Sequence, residues 1–206
     1  EEPDHGSLSE LRTNLLFSAR FFDSYLQSKL NETLDPYLVL LGSASYYLCD
    51  LPGSASVLAK RIDGDCPDLD GDGLEDLLLW LLQADSGTYF DETEGPFGGF
   101  IDGISKWILQ FFEDGNGEEN LRDLATKLRD AVYEFGTPRH LLFGDVIAAV
   151  LRKKLENSVW KALPSYSGLP RDKWLHALQK DSFIKELWPA QHLLGQADVL
   201  KGESAI

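Results

Sequence analysis

The sequence predicts an all-α protein, an irregular multi-helix bundle of about 8-10 helices. Apolar residues recur at three- and four-residue spacing along most of its 206 residues, which marks helix faces, and period-two alternation is almost absent. Two Asp/Thr-Pro pairs, Asp35-Pro36 and Thr137-Pro138, place a capping side chain before a proline at the first helical position, where its missing N–H costs nothing.

The elements follow in order. Ser7 with Glu10 forms a capping box, and Leu8, Leu11, Leu15, Leu16, Phe21, Phe22, Tyr25, Leu26 and Leu30 lie at helical spacing behind it. Asp35-Pro36 opens a second helix through Leu48, and Leu51-Pro52-Gly53 breaks it. A third runs from Ser54 to Ile62. Gly42, Ser43, Ala44, Ser54, Ala55 and Ala59 are small enough to let two helices approach closely. Asp63 to Gly73 reads as a loop that caps the nearly all-apolar Leu74–Gln83, a buried central helix. After a loop over 85–99, Phe100 to Phe112 carries Ile101, Ile104, Trp107, Ile108 and Phe111 on one side. Leu121 to Phe135 is amphipathic through Leu121, Leu124, Leu128 and Val132.

Thr137-Pro138 then opens the longest helix, expected from Arg139 to about Leu163, with Leu142, Val146, Ala149, Val150, Val159 and Trp160 facing the core and Arg152, Lys153 and Lys154 in a solvated cluster. Pro164 to Pro170 reads as a linker by composition. Short helices are expected over 171–179, 182–187 and 189–200, ahead of an incipient strand at Ser204 to Ile206.

Composition narrows the function. No apolar run reaches the eighteen or so residues of a membrane span, and the acidic start lacks the build of a secretion signal, so no membrane contact and a cytoplasmic location are expected. The chain has no Met and starts on Glu, which reads as a fragment of a longer polypeptide. Cys49 and Cys66 form no CxxC, and four scattered histidines show no ligand spacing, so zinc and His-based catalysis find no support. A net charge of −15 opposes a free-standing nucleic-acid binder. The charge is uneven: 63–94 holds eleven acids and no Lys or Arg, whereas 138–180 holds eight Lys and Arg against three acids.

Three constellations are candidates for binding. Arg152, Lys153, Lys154, Lys161, Arg171 and Lys173, interleaved with Trp160, Tyr166 and Trp174, offer charge and stacking to DNA or RNA; solubility and core packing are the plainer account. Asp68, Asp70, Asp72 and Asp76 match four positions of an EF-hand-like Ca²⁺ loop, but its twelfth position is Leu79; a solvated loop capping the next helix explains the same residues. The third is the C-terminal run, in which Leu187-Trp188-Pro189-Ala190-Gln191 precedes a short helix, a Lys201-Gly202 turn and the strand start.

That order resembles the entry to the motor core of DEAD/DEAH-type superfamily-two helicases, and residues 37–61 look like the helical N-terminal regions of long bacterial helicases, some linked to phage defence. The resemblance implies a helical accessory domain at 7–163 and a linker plus the opening of the motor core at 164–206. It implies that Gln191 reads the adenine of ATP through a donor and an acceptor, with Trp188 packing nearby. ATP and Mg would bind in the intact parent protein, and the partners would be the motor of the same polypeptide, DNA or RNA, and a further protein. No GxxxxGK[ST] loop or DExx box occurs within the 206 residues, so the chain by itself lacks the lysine and hydroxyl that hold phosphate and magnesium. The alternatives are a self-contained acidic helical protein-interaction domain and a calcium-binding module.

Overall fold

A computed structural model describes residues 5–28, 30, 33–62, 66, 69, 73–83, 90–179 and 185–202. It is all-helical, as the spacing predicts. The α-helices are α1 (His5–Gln27), α2 (Pro36–Leu48), α3 (Pro52–Ala59), α4 (Leu74–Gln83), α5 (Gly98–Asp114), α6 (Glu118–Phe135), α7 (Pro138–Asn157), α8 (Val159–Ser167), α9 (Arg171–Leu178) and α10 (Pro189–Gln196). A 3-10 turn at Val199–Lys201 follows. Among the described residues the single β-type contact is an isolated antiparallel bridge between Ser158 and Glu186, and no helix is long and apolar enough to cross a membrane.

The helix starts obey their local chemistry. Asp35 Oδ1 accepts from the backbone N–H groups of Tyr37 and Leu38 at 2.9 and 3.3 Å, ahead of Pro36 at the first position of α2. At α7, Thr137 Oγ1 accepts from the His140 N–H while His140 Nδ1 accepts from the Thr137 N–H at 3.0 Å, a capping box in which His stands in the usual place of Glu. α1 is already helical at His5, two residues ahead of the Ser7 cap read from sequence. Pro52, read as a breaker, is also the opening residue of α3, because a proline that cannot continue one helix is preorganised to start the next.

The core has α4 at its centre, in contact with α2, α3, α5 and α7, and Leu74, Leu77, Leu78, Leu81 and Leu82 are buried. Glu75 comes with them: it is 2% exposed and its Oε1 accepts from Arg139 Nε at 2.7 Å. The small residues do bring helices together. A Cβ on Gly42 would stand 3.1 Å from Phe22 and 3.2 Å from Leu58, and Ser43 Oγ donates to the Ala55 carbonyl at 2.7 Å, tying α2 to α3.

Between Pro138 and Pro170, two stretches differ from the sequence expectation. The long helix ends at Asn157, because Ser158 is extended (φ −57, ψ 137) and caps α8 through its Oγ; Asn and Ser compete with helical bonding and favour such junctions. Leu142, expected on the core face, is exposed at 47%, and the buried stripe of α7 is Phe143, Ile147, Val150, Leu151, Lys154 and Leu155. Pro164 to Ser167, read as linker, continue α8, which tolerates Pro164 inside it and ends on left-handed Gly168.

Candidate functional site

The break at Ser158 creates the site. With no helix to satisfy them, the Val159 N–H donates to the Lys185 carbonyl at 3.1 Å, and the Leu187 N–H donates to the Asn157 carbonyl at 2.8 Å. Residues 185–187, expected as part of a helix, instead meet the α7–α8 junction through an isolated antiparallel bridge between Glu186 and Ser158. Trp188 is extended (φ −82, ψ 161) before Pro189, as a residue preceding proline must be. Leu187 is buried.

The same pairing fixes Glu186. Its Oε1 accepts from Lys154 Nζ at 2.5 Å, and its Oε2 accepts from the Tyr47 hydroxyl. Lys154 is only 4% exposed, and its ammonium also lies 5.1 Å from the Tyr47 ring centroid and 6.0 Å from that of Phe112. Burial, together with the adjacent Glu186 charge, pushes the Tyr47 hydroxyl well above its ordinary range. Tyr47 thus stays protonated and donates, so both oxygens of the carboxylate are occupied. An ion pair in such surroundings persists only when each charge is matched, since the desolvation of a lone ion costs several kcal/mol.

Beside this cluster lies a half-open pocket of about 230 Å³. Its apolar wall includes Trp80, Leu81, Ile108, Phe112 and Trp188; Lys154, Asn157, Lys185 and Ser56 contribute polar groups. Among the described residues, the side chains of Lys185, Asn157 and Ser56 have no hydrogen-bond or ion-pair partner. A largely apolar wall carrying a few uncommitted polar groups is a lining of the kind that ligand pockets share.

Gln191 and Trp188 lie at the start of α10, immediately after the pocket segment. Gln191 Oε1 accepts from the Trp188 N–H at 2.7 Å, which caps the helix and fixes the amide. Trp188 is 58% exposed, with its ring edge 3.8 Å from where a Cβ on Gly53 would be. α10 rests on α8: Tyr166 OH meets His192 Nδ1 at 2.8 Å, and Gly195 fits flat against the Tyr166 ring. Leu193, Leu194 and Leu200 face outward.

The six basic residues do not form one face. Successive helical residues point about 100° apart, so Arg152, Lys153 and Lys154 cannot share a solvated cluster. Arg152 is exposed, 4.0 Å from Glu156. Lys153 pairs with Asp50 at 2.5 Å, and Lys154 is the buried partner of Glu186. Lys161 pairs with Glu118 at 2.7 Å. Arg171 donates to the Asp114 carbonyl and lies 5.1 Å over the Trp160 ring; Lys173 is exposed. Of the set, the Lys173 side chain has no hydrogen-bond or ion-pair partner among the described residues, and Arg152 is 69% exposed with only the long contact to Glu156.

Of the calcium candidates, Asp68, Asp70 and Asp72 lie outside the described residues, as does the strand start at Ser204 to Ile206. Asp76 is in the first turn of α4, where burial, with a smaller effect of Glu75, raises its pKa. Among the described residues no group of three or more His, Cys, Asp or Glu is placed to hold a metal ion. Cys49 is buried and Cys66 half-buried, and the two are not joined in a disulfide.

Sequence reasoning missed Tyr47, Lys154 and Glu186 as a unit. The register carried the signal for Lys154, which falls three and four positions after Leu151 and Val150 on the buried stripe. No known protein family, curated protein or solved structure matches the chain.

Proposed function

We propose that the chain is the N-terminal helical accessory module of an ATP-dependent nucleic-acid helicase, non-catalytic by itself, which packs on the motor and positions nucleic acid or a partner. The observation that supports this reading is the way the Lys185–Gln191 segment is held. Two main-chain hydrogen bonds and the Lys154–Glu186–Tyr47 cluster fasten it to the helical body, while Trp188, Leu193, Leu194 and Leu200 stay exposed. A body that holds the segment so firmly would transmit its own orientation to a motor domain built onto it.

The geometry of Gln191 is compatible with reading adenine. Capping uses one lone pair of Oε1, so a second lone pair and both Nε2 hydrogens are left to present an acceptor and a donor together. Phosphate and magnesium would be held by groups of the motor. Lys173, exposed, and Arg152, 69% exposed and only 4.0 Å from Glu156, are the cations best placed to meet a nucleic-acid backbone, since Lys153, Lys154 and Lys161 are held in closer ion pairs of 2.5–2.7 Å.

Nucleotide competition on the intact protein tests the reading. Gln191→Ala should weaken ATP about tenfold, the equivalent of two net hydrogen bonds, and leave GTP nearly unchanged. Equal loss for both nucleotides, or none for ATP, would remove Gln191 as the adenine reader.

A further inference from the structure

We propose that the pocket enclosed by α2, α3, α4, α5, α7 and residues 185–188 binds a small carboxylate with an apolar body. Size and wall set the body. The cavity, about 230 Å³, exceeds the ~150 Å³ apolar cavity that accommodates benzene, and Trp80, Leu81, Ile108 and Phe112 give it a dry, partly aromatic wall. A short aliphatic chain or an arylalkyl group fits such a space. A fully polar solute would lose its hydration there without replacement.

Charge sets the head group. The chain carries a net −15, yet among the described residues the charged side chains lining this pocket are Lys154, Lys185 and Glu186. Glu186 has both oxygens engaged, by Lys154 Nζ and by the Tyr47 hydroxyl. Lys154 is matched by that carboxylate, and Lys185 has no ion pair among the described residues. The described lining therefore carries one positive charge in excess, which suits a monoanion. Asn157 and Ser56 add uncommitted donors on the same lining. A carboxylate can accept from an ammonium, an amide and a hydroxyl at once, and such charge-assisted bonds are the strong ones. Occupancy of this pocket is independent of whether a motor domain follows.

Octanoate is a suitable probe, with 1-octanol and octylamine as neutral and cationic controls of the same chain length. Titration calorimetry, with quenching of tryptophan fluorescence as a second readout, should show saturable one-site binding of octanoate, with octanol at least about tenfold weaker and octylamine weaker still. Lys185→Gln should weaken octanoate about tenfold and leave octanol unaltered, which separates the head group from the wall. Ser56→Phe, at a half-buried position of the lining, should abolish binding of both while thermal unfolding stays cooperative. Absence of saturation below about 10 mM octanoate, equal affinity for octanol, or octanoate binding untouched by Ser56→Phe would each overturn the proposal.

Discussion

Replacing Lys154 by methionine keeps much of the side chain's apolar stem and removes its charge, leaving Glu186 ionised against the α7–α8 junction with only the Tyr47 hydroxyl for support. Lys154 is 4% and Glu186 19% exposed, so water can compensate the carboxylate only in part. Breaking one side of a buried pair typically costs about 3–5 kcal/mol. With a urea slope of about 2–3 kcal/mol/M, the upper end of the usual range for a chain of this size, the unfolding midpoint should fall by about 1–2.5 M. The double variant Lys154→Met/Glu186→Leu should recover most of that loss, because two apolar groups that fit each other desolvate without penalty. It should still carry a residual cost of about 1–3 kcal/mol from the Tyr47 hydroxyl, which then lacks its acceptor; adding Tyr47→Phe should remove it. Equilibrium urea unfolding followed by far-UV circular dichroism, analysed as a double-mutant cycle, measures each step. A Lys154→Met variant within about 0.5 kcal/mol of the parent, or a cycle without coupling, would refute the argument that this pair fastens residues 185–188 to the helical body.

Two further consequences concern α10. Burial, and after it the nearby Lys153 charge, lowers the His192 pKa below its ordinary value, against a weaker opposing effect of Asp50. A depressed base binds its proton more weakly folded than unfolded, so this contribution is intact above the unfolded value of about 6.5 and is lost as pH falls through the folded-state pKa. NMR titration of the imidazole should give a midpoint below 6.5, and His192→Gln should flatten that part of the stability profile; a midpoint at or above the ordinary value contradicts it. Gly195→Ala would place a Cβ 2.2 Å from Tyr166 Cδ2, a contact that forces α10 away from α8. An overpacking cost of about 1–3 kcal/mol, hence about 2–10 °C in Tm for a chain of this size, is expected by calorimetry, and an unchanged Tm would show that the two helices are not in close contact.

The helical architecture was legible because it rests on local rules: the Asp35-Pro36 and Thr137-Pro138 caps and the leucines of α4 declare themselves within one or two turns. The break at Asn157-Ser158 was not, since it depends on main-chain partners nearly thirty residues away at Lys185 and Leu187. The same distance hid the site. Glu186 and Tyr47 meet across 139 positions, and no spacing rule reaches that far. Lys154 was read as solvated because charged residues usually are, although its place on the stripe with Ile147, Val150 and Leu151 signals burial. Gln191 was visible as a motif residue, but its bond to the Trp188 N–H comes from Pro189 opening a helix, a geometry a plain helix N-terminus also produces.

Whether this helical body carries the opening of an ATP-dependent motor, as proposed, is decided by the coding sequence of the gene. An open reading frame that continues past Ile206 through the end of an apolar strand and, within a few residues, into a GxxxxGK[ST] phosphate-binding loop is expected. A stop codon directly after Ile206, or a continuation without that loop, would contradict it.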